Sequence, residues 1–259
     1  MKANLLTFNL RYPFGNDGEN SWENRKLSVI EFINDFKPNI IGAQEVYDFM
    51  KDEILAKTFN YLAIGIPRTP KGEGVPIFYN PNIFEVINSG NFWLSVTPTK
   101  LNSKSWNSYS VRMCTWAEFC FLEDRTKKFR VFNTHLDHQS EEARINGFKV
   151  LLNKIKKLNK NEYLPIMITG DFNAKLESTT IKEIEKNINE FGLPLKHVYK
   201  NGVIYGTTFH SFTGRINGEP IDYIYYSNDI KVSDLEIHRD KYLGKYVSDH
   251  YPVSINFEI

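Results

Sequence analysis

The chain has 259 residues, 41% of them apolar and 14% aromatic, with 32 Lys and Arg against 31 Asp and Glu. This is long enough to bury a sizeable core and rich in strand-favouring aromatics, which excludes a disordered tail or a coiled coil. A net charge of +1 supplies no global positive field, so a nucleic acid or anionic lipid partner would need a local basic patch.

The opening "MKANLLTFNL" carries Asn4, Thr7 and Asn9 inside its apolar run and reads as a first strand rather than a signal peptide. No apolar stretch approaches the roughly 20 residues that span a bilayer, so no membrane partner is expected. Further strand-length runs follow in order: "NIIGAQE", "YLAIGI", "VPIFYN", "VRMCTWAEFCFL", "FRVFNTHL", "LPIMITG", "PIDYIYY" and "YPVSINFEI". Amphipathic helices are predicted over about 21–36, 140–160 and 178–191, the middle one with Phe148, Leu151, Leu152, Ile155 and Leu158 on one face and Ser140 as its cap. Residues 109–122 followed by 129–135 suggest a hairpin, hence mixed or antiparallel sheets in one α+β domain spanning 1–259. Cys114 and Cys120 share one predicted strand, about 20 Å apart, too far for a disulfide. Free thiols and no recognisable leader point to the cytoplasm.

Polar residues recur at the strand ends: Asn9, Glu45, His135 with Asp137, Asp171 with Asn173, Asp222, and Asp249 with His250. One such residue is ordinarily a turn former, but six coincidences suggest convergence on a site. Glu45 and Asp249, with Asn9 adding a neutral oxygen, suit Mg²⁺ or Mn²⁺. His250 could donate to a phosphoryl oxygen while Asp222 orients its ring; Asp171 could deprotonate a water and Asn173 stabilise the developing charge.

The ordered set "FNLR", "QE", "NTHLD", "GDFNA", "IDYIY" and "SDHYPV" resembles the endonuclease/exonuclease/phosphatase superfamily of metal-dependent phosphoesterases. The resemblance implies a four-layered α/β/β/α sandwich of two mixed sheets. It also implies Glu45 as principal metal ligand with Asn9 and Asp249 nearby, Asp171 and Asn173 as the water-activating pair, Asp222 and His250 as a linked carboxylate and imidazole, and His135 as a second phosphate-contacting histidine. Inositol polyphosphate 5-phosphatases carry a Trp before the Gly-Asp that "MITGDFNA" lacks; abasic-site endonucleases usually show an Arg where Pro220 stands and have no histidine like His135. Secreted sphingomyelinases share "SDHYPV" but carry a leader. "FNLRY", "NDGENSWENRK" and "VRMCTW" are similar to the deadenylase-like and uncharacterised bacterial branch.

Arg11 and Arg112 are candidate phosphate-binding residues. Trp22 and Trp106 suit loop anchors better than base-stacking platforms, His138 suits a solvated loop, and Lys149, Lys154, Lys156, Lys157 and Lys160 suit a solvated helix face. The expected reaction is Mg²⁺-dependent hydrolysis of a phosphodiester in single-stranded nucleic acid or a nucleotide, in the manner of a 3'-5' exoribonuclease. The alternatives are a phosphomonoesterase acting on a sugar or inositol phosphate, and a non-catalytic phospholigand-binding module; a glycoside hydrolase would need neither metal ligands nor a histidine–carboxylate pair. No protein partner is evident. Loops at 11–22, 67–75, 97–108 and 210–220 are expected to set substrate choice.

Overall fold

Alternation along the first strand, β1 (Lys2–Asn9), shows how the layers form in the computed structural model, which describes residues 1–200 and 202–259. Leu6 and Phe8 pack beneath helix α1 (Trp22–Phe36) with Val29, Phe32 and Ile33, while Leu5 turns to the opposite face and joins the main core. The chain continues through β2 (Ile40–Gln44), α2 (Asp48–Lys57), β3 (Leu62–Ile64), β4 (Ile77–Tyr79), β5 (Phe84–Trp93), β6 (Met113–Phe121) and β7 (Lys128–His135). It then forms α3 (Glu141–Asn159), β8 (Ile166–Asp171), α4 (Thr179–Glu190), β9 (Leu195–His197), β10 (Asp222–Ser227), β11 (Lys231–Ile237) and β12 (Val253–Glu258).

Two six-stranded sheets result, ordered β11-β12-β1-β2-β4-β3 and β5-β6-β7-β8-β10-β9. Each is mixed: β1 and β2 are parallel in the first, β7 and β8 in the second, and each parallel pair is joined by a crossover helix, α1 or α3. The central strands β1 and β2 face β7, β8 and β10 across the sandwich. Helices α1 and α2 cover the first sheet through Phe32, Met50 and Ile54; α3 and α4 cover the second through Phe148, Leu152, Ile155, Ile184 and Ile188. This is the four-layered arrangement that the resemblance implied. The hairpin of β6 and β7 is antiparallel, and Cys114 and Cys120 lie buried as free thiols on β6. Among the described residues, no helix is long and apolar enough to cross a membrane.

The three predicted helices form, with Ser140 Oγ accepting from the Ala143 N–H at 3.1 Å and Ser178 Oγ from that of Ile181 at 3.4 Å. Ser21 precedes α1 without a side-chain capping bond. Near the site end of the sandwich the apolar core gives way to a closed polar layer. Gln44 Nε2 donates to Asn133 Oδ1 at 2.8 Å, Thr169 Oγ1 donates to the same oxygen at 3.0 Å, and Asn133 Nδ2 donates to the carbonyls of Ala43 and Pro76. Gly42 permits this close approach, because a Cβ there would lie 2.0 Å from Thr169 Oγ1.

Candidate active site

Register carries the polar strand ends to one edge of both sheets. In the second sheet Asp171 at the end of β8 is the partner of His135 at the end of β7 and of Asp222 at the start of β10. In the first, Asn9 pairs with Gln44, the residue before Glu45, and Asp249 and His250 lie just before β12. The edges meet where Asn9 Nδ2 donates to Asp171 Oδ2 at 3.0 Å. Arg11, Glu45 and Asn173, at φ of 58°, 60° and 49°, all adopt left-handed backbone as their chains leave the strands, a cost of about 1–3 kcal/mol each that the surrounding hydrogen bonds sustain.

A cleft of about 510 Å³ opens over this edge, with Arg11, Glu45, His135, Asp171, Asn173, Asp249 and His250 in its walls. His250 and Asp222 form a buried pair, Nδ1 to Oδ2 at 2.9 Å, and His250 Nε2 faces Asp171 Oδ2 at 3.7 Å. Burial would lower the His250 pKa, but the Asp222 charge and hydrogen bond, with Asp171 and Asp249 behind them, raise it to about 10, so the ring is an imidazolium at neutral pH. Asp171 is pushed up to about 7 by burial and by the Asp222 charge, against the pull of His250. A carboxylate poised there exchanges a proton readily at neutral pH. His135 behaves oppositely: burial and then Arg112 hold it well below the ordinary histidine value, leaving a neutral ring. Its Nε2 lies 2.9 Å from Asn173 Nδ2, which also donates to the Leu136 carbonyl at 3.1 Å, while the Asn173 N–H closes onto Asp171 Oδ1 at 2.8 Å. The predicted strand-end residues other than Asp137 therefore meet in one constellation.

Asn9, expected to add a ligand oxygen, here bridges two carboxylates with its amide nitrogen. Its amide nitrogen faces Glu45 Oε1 at 3.2 Å and Asp171 Oδ2, and its oxygen accepts from the Arg11 N–H at 2.9 Å. Turning the oxygen inward would set three acceptors against one another, so Asn9 clamps two carboxylates and presents no free oxygen. Arg11 forks onto Asp17 at 2.9 and 3.0 Å and stands 3.6 Å from Asp249 Oδ2. Arg112 sits buried between Glu73 and Asp137, with Nη2 3.3 Å from His138 Nδ1. Both arginines reach the cleft wall already paired with carboxylates.

Two groupings can hold a divalent cation. Asp171, Asp222 and His250 each offer an atom within 4.8 Å of the others, but the hydrogen bond between His250 and Asp222 occupies the facing lone pairs. Glu45 and Asp249 fit better. Both line the cleft, and burial, with the Glu45 charge adding to it, raises Asp249 above the ordinary carboxylate value despite His250. Carboxylate oxygens are the hard donors that Mg²⁺ or Mn²⁺ takes.

Several wall residues come from loops that periodicity does not describe. Arg68 and Glu73 pair at 2.8 Å in the 67–75 loop, and Tyr12, Tyr109 and Phe209 border the cleft. His138, expected to be a solvated loop residue, also lines it. Asp137 is structural: it accepts from Ser108 Oγ and the N–H groups of Ser110, Gln139 and Ser140, which tie the loop before β6 to the start of α3 and hold its pKa below the ordinary range against burial. Trp22, expected to anchor a loop, is instead the first residue of α1, 2% exposed, and donates to Glu53 Oε2.

The profile of the Endonuclease/Exonuclease/phosphatase family matches residues 6–250. Human Nocturnin is 24% identical over 264 residues, covering 91% of this chain and 58% of Nocturnin. The CCR4-Not complex 3'-5'-exoribonuclease subunit Ccr4 of Kluyveromyces lactis is 26% identical, covering 92% of this chain and 38% of its own. The chain thus spans about half or less of these relatives. The structure of the mannosyl-6-phosphatase of Bacteroides thetaiotaomicron superposes with a TM-score of 0.91 at 26% identity, covering 99% of this chain and 100% of that one. With its profile match across nearly the whole length, this chain belongs to the Endonuclease/Exonuclease/phosphatase family, whose members are metal-dependent phosphoester hydrolases.

Proposed function

We propose that the chain hydrolyses the phosphomonoester of a small hydroxylated molecule, such as a sugar phosphate, with a divalent cation at Glu45 and Asp249. The observation that carries the reading is the convergence of a near-neutral carboxylate, Asp171, with an imidazolium, His250, in one walled cleft. The end-to-end likeness to a sugar phosphatase supports the substrate class, as do Arg68 and His138, which give the wall polar groups for hydroxyls.

In this mechanism Asp171 takes a proton from a water whose oxygen attacks phosphorus in line, and the bond from phosphorus to the leaving oxygen breaks. His250 Nε2–H donates to a phosphoryl oxygen, held in aim by Asp222, while Asn173 orients Asp171 through its backbone N–H and His135 through its side-chain amide. The leaving oxygen takes a proton from solvent and Asp171 returns its own, so the residues end as they began. A cation at Glu45 and Asp249 supplies Lewis-acid neutralisation of phosphoryl charge when bound. A second reading, phosphodiester cleavage in single-stranded nucleic acid or a nucleotide, is favoured by the likeness to Ccr4 and by Phe209, whose ring borders the cleft 5.0 Å from that of His250 and could stack on a base.

The test is a panel of mannose 6-phosphate, glucose 6-phosphate, oligoadenylate and bis(p-nitrophenyl) phosphate with Mg²⁺, Mn²⁺ or EDTA. Phosphate released from hexose phosphates, abolished by EDTA and by Asp171→Asn, is expected. Shortening of oligoadenylate without hexose phosphate turnover would select the second reading. Glu45→Gln should raise the Mg²⁺ concentration giving half-maximal rate at least tenfold; an unchanged titration would remove Glu45 as a ligand.

A further inference from the structure

Behind His135 lies a second, much smaller cavity of about 10 Å³, lined by Arg68, Glu73, Arg112, His135 and the apolar residues around them. Its size is close to that of one water. One buried donor among its lining residues lacks a partner: His135 Nδ1, on a side chain 5% exposed; Arg112 Nε instead stands 3.8 Å from Asp137 Oδ2. The hydrogen bonds on the other side of the ring fix its tautomer. The Leu136 carbonyl can only accept, so the Asn173 atom 3.1 Å from it is the amide NH₂; that group meets His135 Nε2 at 2.9 Å, closer than Asp171 Oδ2 at 3.5 Å, which makes Nε2 the acceptor and puts the ring proton on Nδ1. An N–H is thus turned away from the cleft and needs an acceptor.

Glu73 is the acceptor at hand. Its Oε1 is held by Arg68 Nη1 at 2.8 Å and lies 3.7 Å from Arg112 Nη1, leaving Oε2 to bond elsewhere. The backbone around it is fixed. The Arg68 N–H donates to the Glu73 carbonyl at 2.8 Å, and Gly74 exchanges hydrogen bonds with Val46, the residue after Glu45. Gly74 is required there, since a Cβ would lie 2.8 Å from the Ile66 carbonyl oxygen.

We propose that one ordered water fills this cavity, accepting from His135 Nδ1 and donating to Glu73, so that Glu73 is a positioning residue for the second histidine of the site. His135 then has a carboxylate support like that of His250, through water rather than direct, and the two rings enter the cleft in fixed and different protonation states. The kinetic consequence rests on the proposed phosphoester hydrolysis; the water and the tautomer do not.

The test combines a high-resolution crystal structure of the wild-type chain with long-range ¹H–¹⁵N NMR of its histidines. A water bonded to His135 Nδ1, and an Nδ1–H tautomer for that ring, are expected. An empty cavity or an Nε2–H tautomer would overturn the proposal. Glu73→Leu, which removes the acceptor, should lower kcat about tenfold with KM within twofold, whereas Glu73→Gln, which keeps an acceptor oxygen, should stay within about threefold of wild type. Equal losses in the two variants, or none in Glu73→Leu, would show that Glu73 serves only as a counter-charge for its arginines. If Glu73→Leu does not fold, the wild-type structure and spectrum still decide. A wild-type chain inactive toward every phosphoester, yet holding the water and the tautomer, would sink the functional reading alone.

Discussion

At the residue scale the site rests on two histidines that the fold drives apart. His250 is held charged by Asp222 and His135 is held neutral by burial, so the first offers a donor to an anionic oxygen, as the proposed mechanism requires, while the other accepts from Asn173. Asp222→Asn tests this division, because it keeps a hydrogen-bonding group beside His250 and removes the charge that holds the ring protonated. We expect kcat to fall about 10²- to 10⁴-fold with circular dichroism unchanged; a loss under twofold would break the assignment. The strand-end set was legible in the sequence because each residue borders an apolar run, where a polar side chain has no packing reason to be. Glu73 was not. In "KGEGV" it reads as a turn residue, and only the folded loop reveals it buried between Arg68 and Arg112. Asn9 was found, but which end of its amide turns inward is not legible in a sequence.

Elements divide along a similar line. Every interior strand was visible as an apolar run, whereas β5, β9 and β11 were not, and all three lie at sheet edges. One flank of an edge strand faces solvent, so "FEVINSGNFW" and "KVSDLEI" lack the sustained apolar character that betrays an interior strand. Helix α2 escaped for a related reason: only Met50 and Ile54 are buried, too few to set a period. Interior strands also carry a constraint that their pattern does not announce. Gly42 in β2 faces Thr169 in β8 with no room between them, and a methyl group would have to displace Thr169 Oγ1 and Asn133 Oδ1 together. Gly42→Ala should cost at least about 1–3 kcal/mol in urea unfolding, the usual range for overpacking, and should lower activity by separating the sheets beneath Asp171 and Glu45. A stability within 0.5 kcal/mol of wild type, inside the range of a neutral surface change, would mean that the polar layer relaxes freely.

For the whole molecule, the question is what locks two sheets with similar parallel-pair plans into one site, and His210 is central to the answer. It lies in the long connection before β10 of the second sheet and stacks on Tyr251, which precedes β12 of the first, at 3.9 Å between ring centroids. Its N–H donates to the Asp249 carbonyl at 2.8 Å and its Nδ1 accepts from the Gly214 N–H at 3.2 Å. It is fully buried, Tyr246 packs edge-on against it, and burial, with the charges of His250 and Arg215 adding to it, lowers its pKa to about 4. The unfolded chain would bind that proton near pH 6.5. Between these values the unfolded state therefore holds a proton that the folded state refuses, so His210 makes stability fall as pH drops from about 6.5 toward 4 and adds no further dependence below. The loss from this group is at most about 3 kcal/mol, and it should disappear in His210→Phe, which keeps the stack on Tyr251 but cannot be protonated. The lost bond to Gly214 would shift that variant's stability equally at every pH, so the slope of urea-derived stability between pH 7 and pH 5 is the readout. A slope as steep in His210→Phe as in wild type would assign the acid sensitivity to other groups and leave His210 as packing alone.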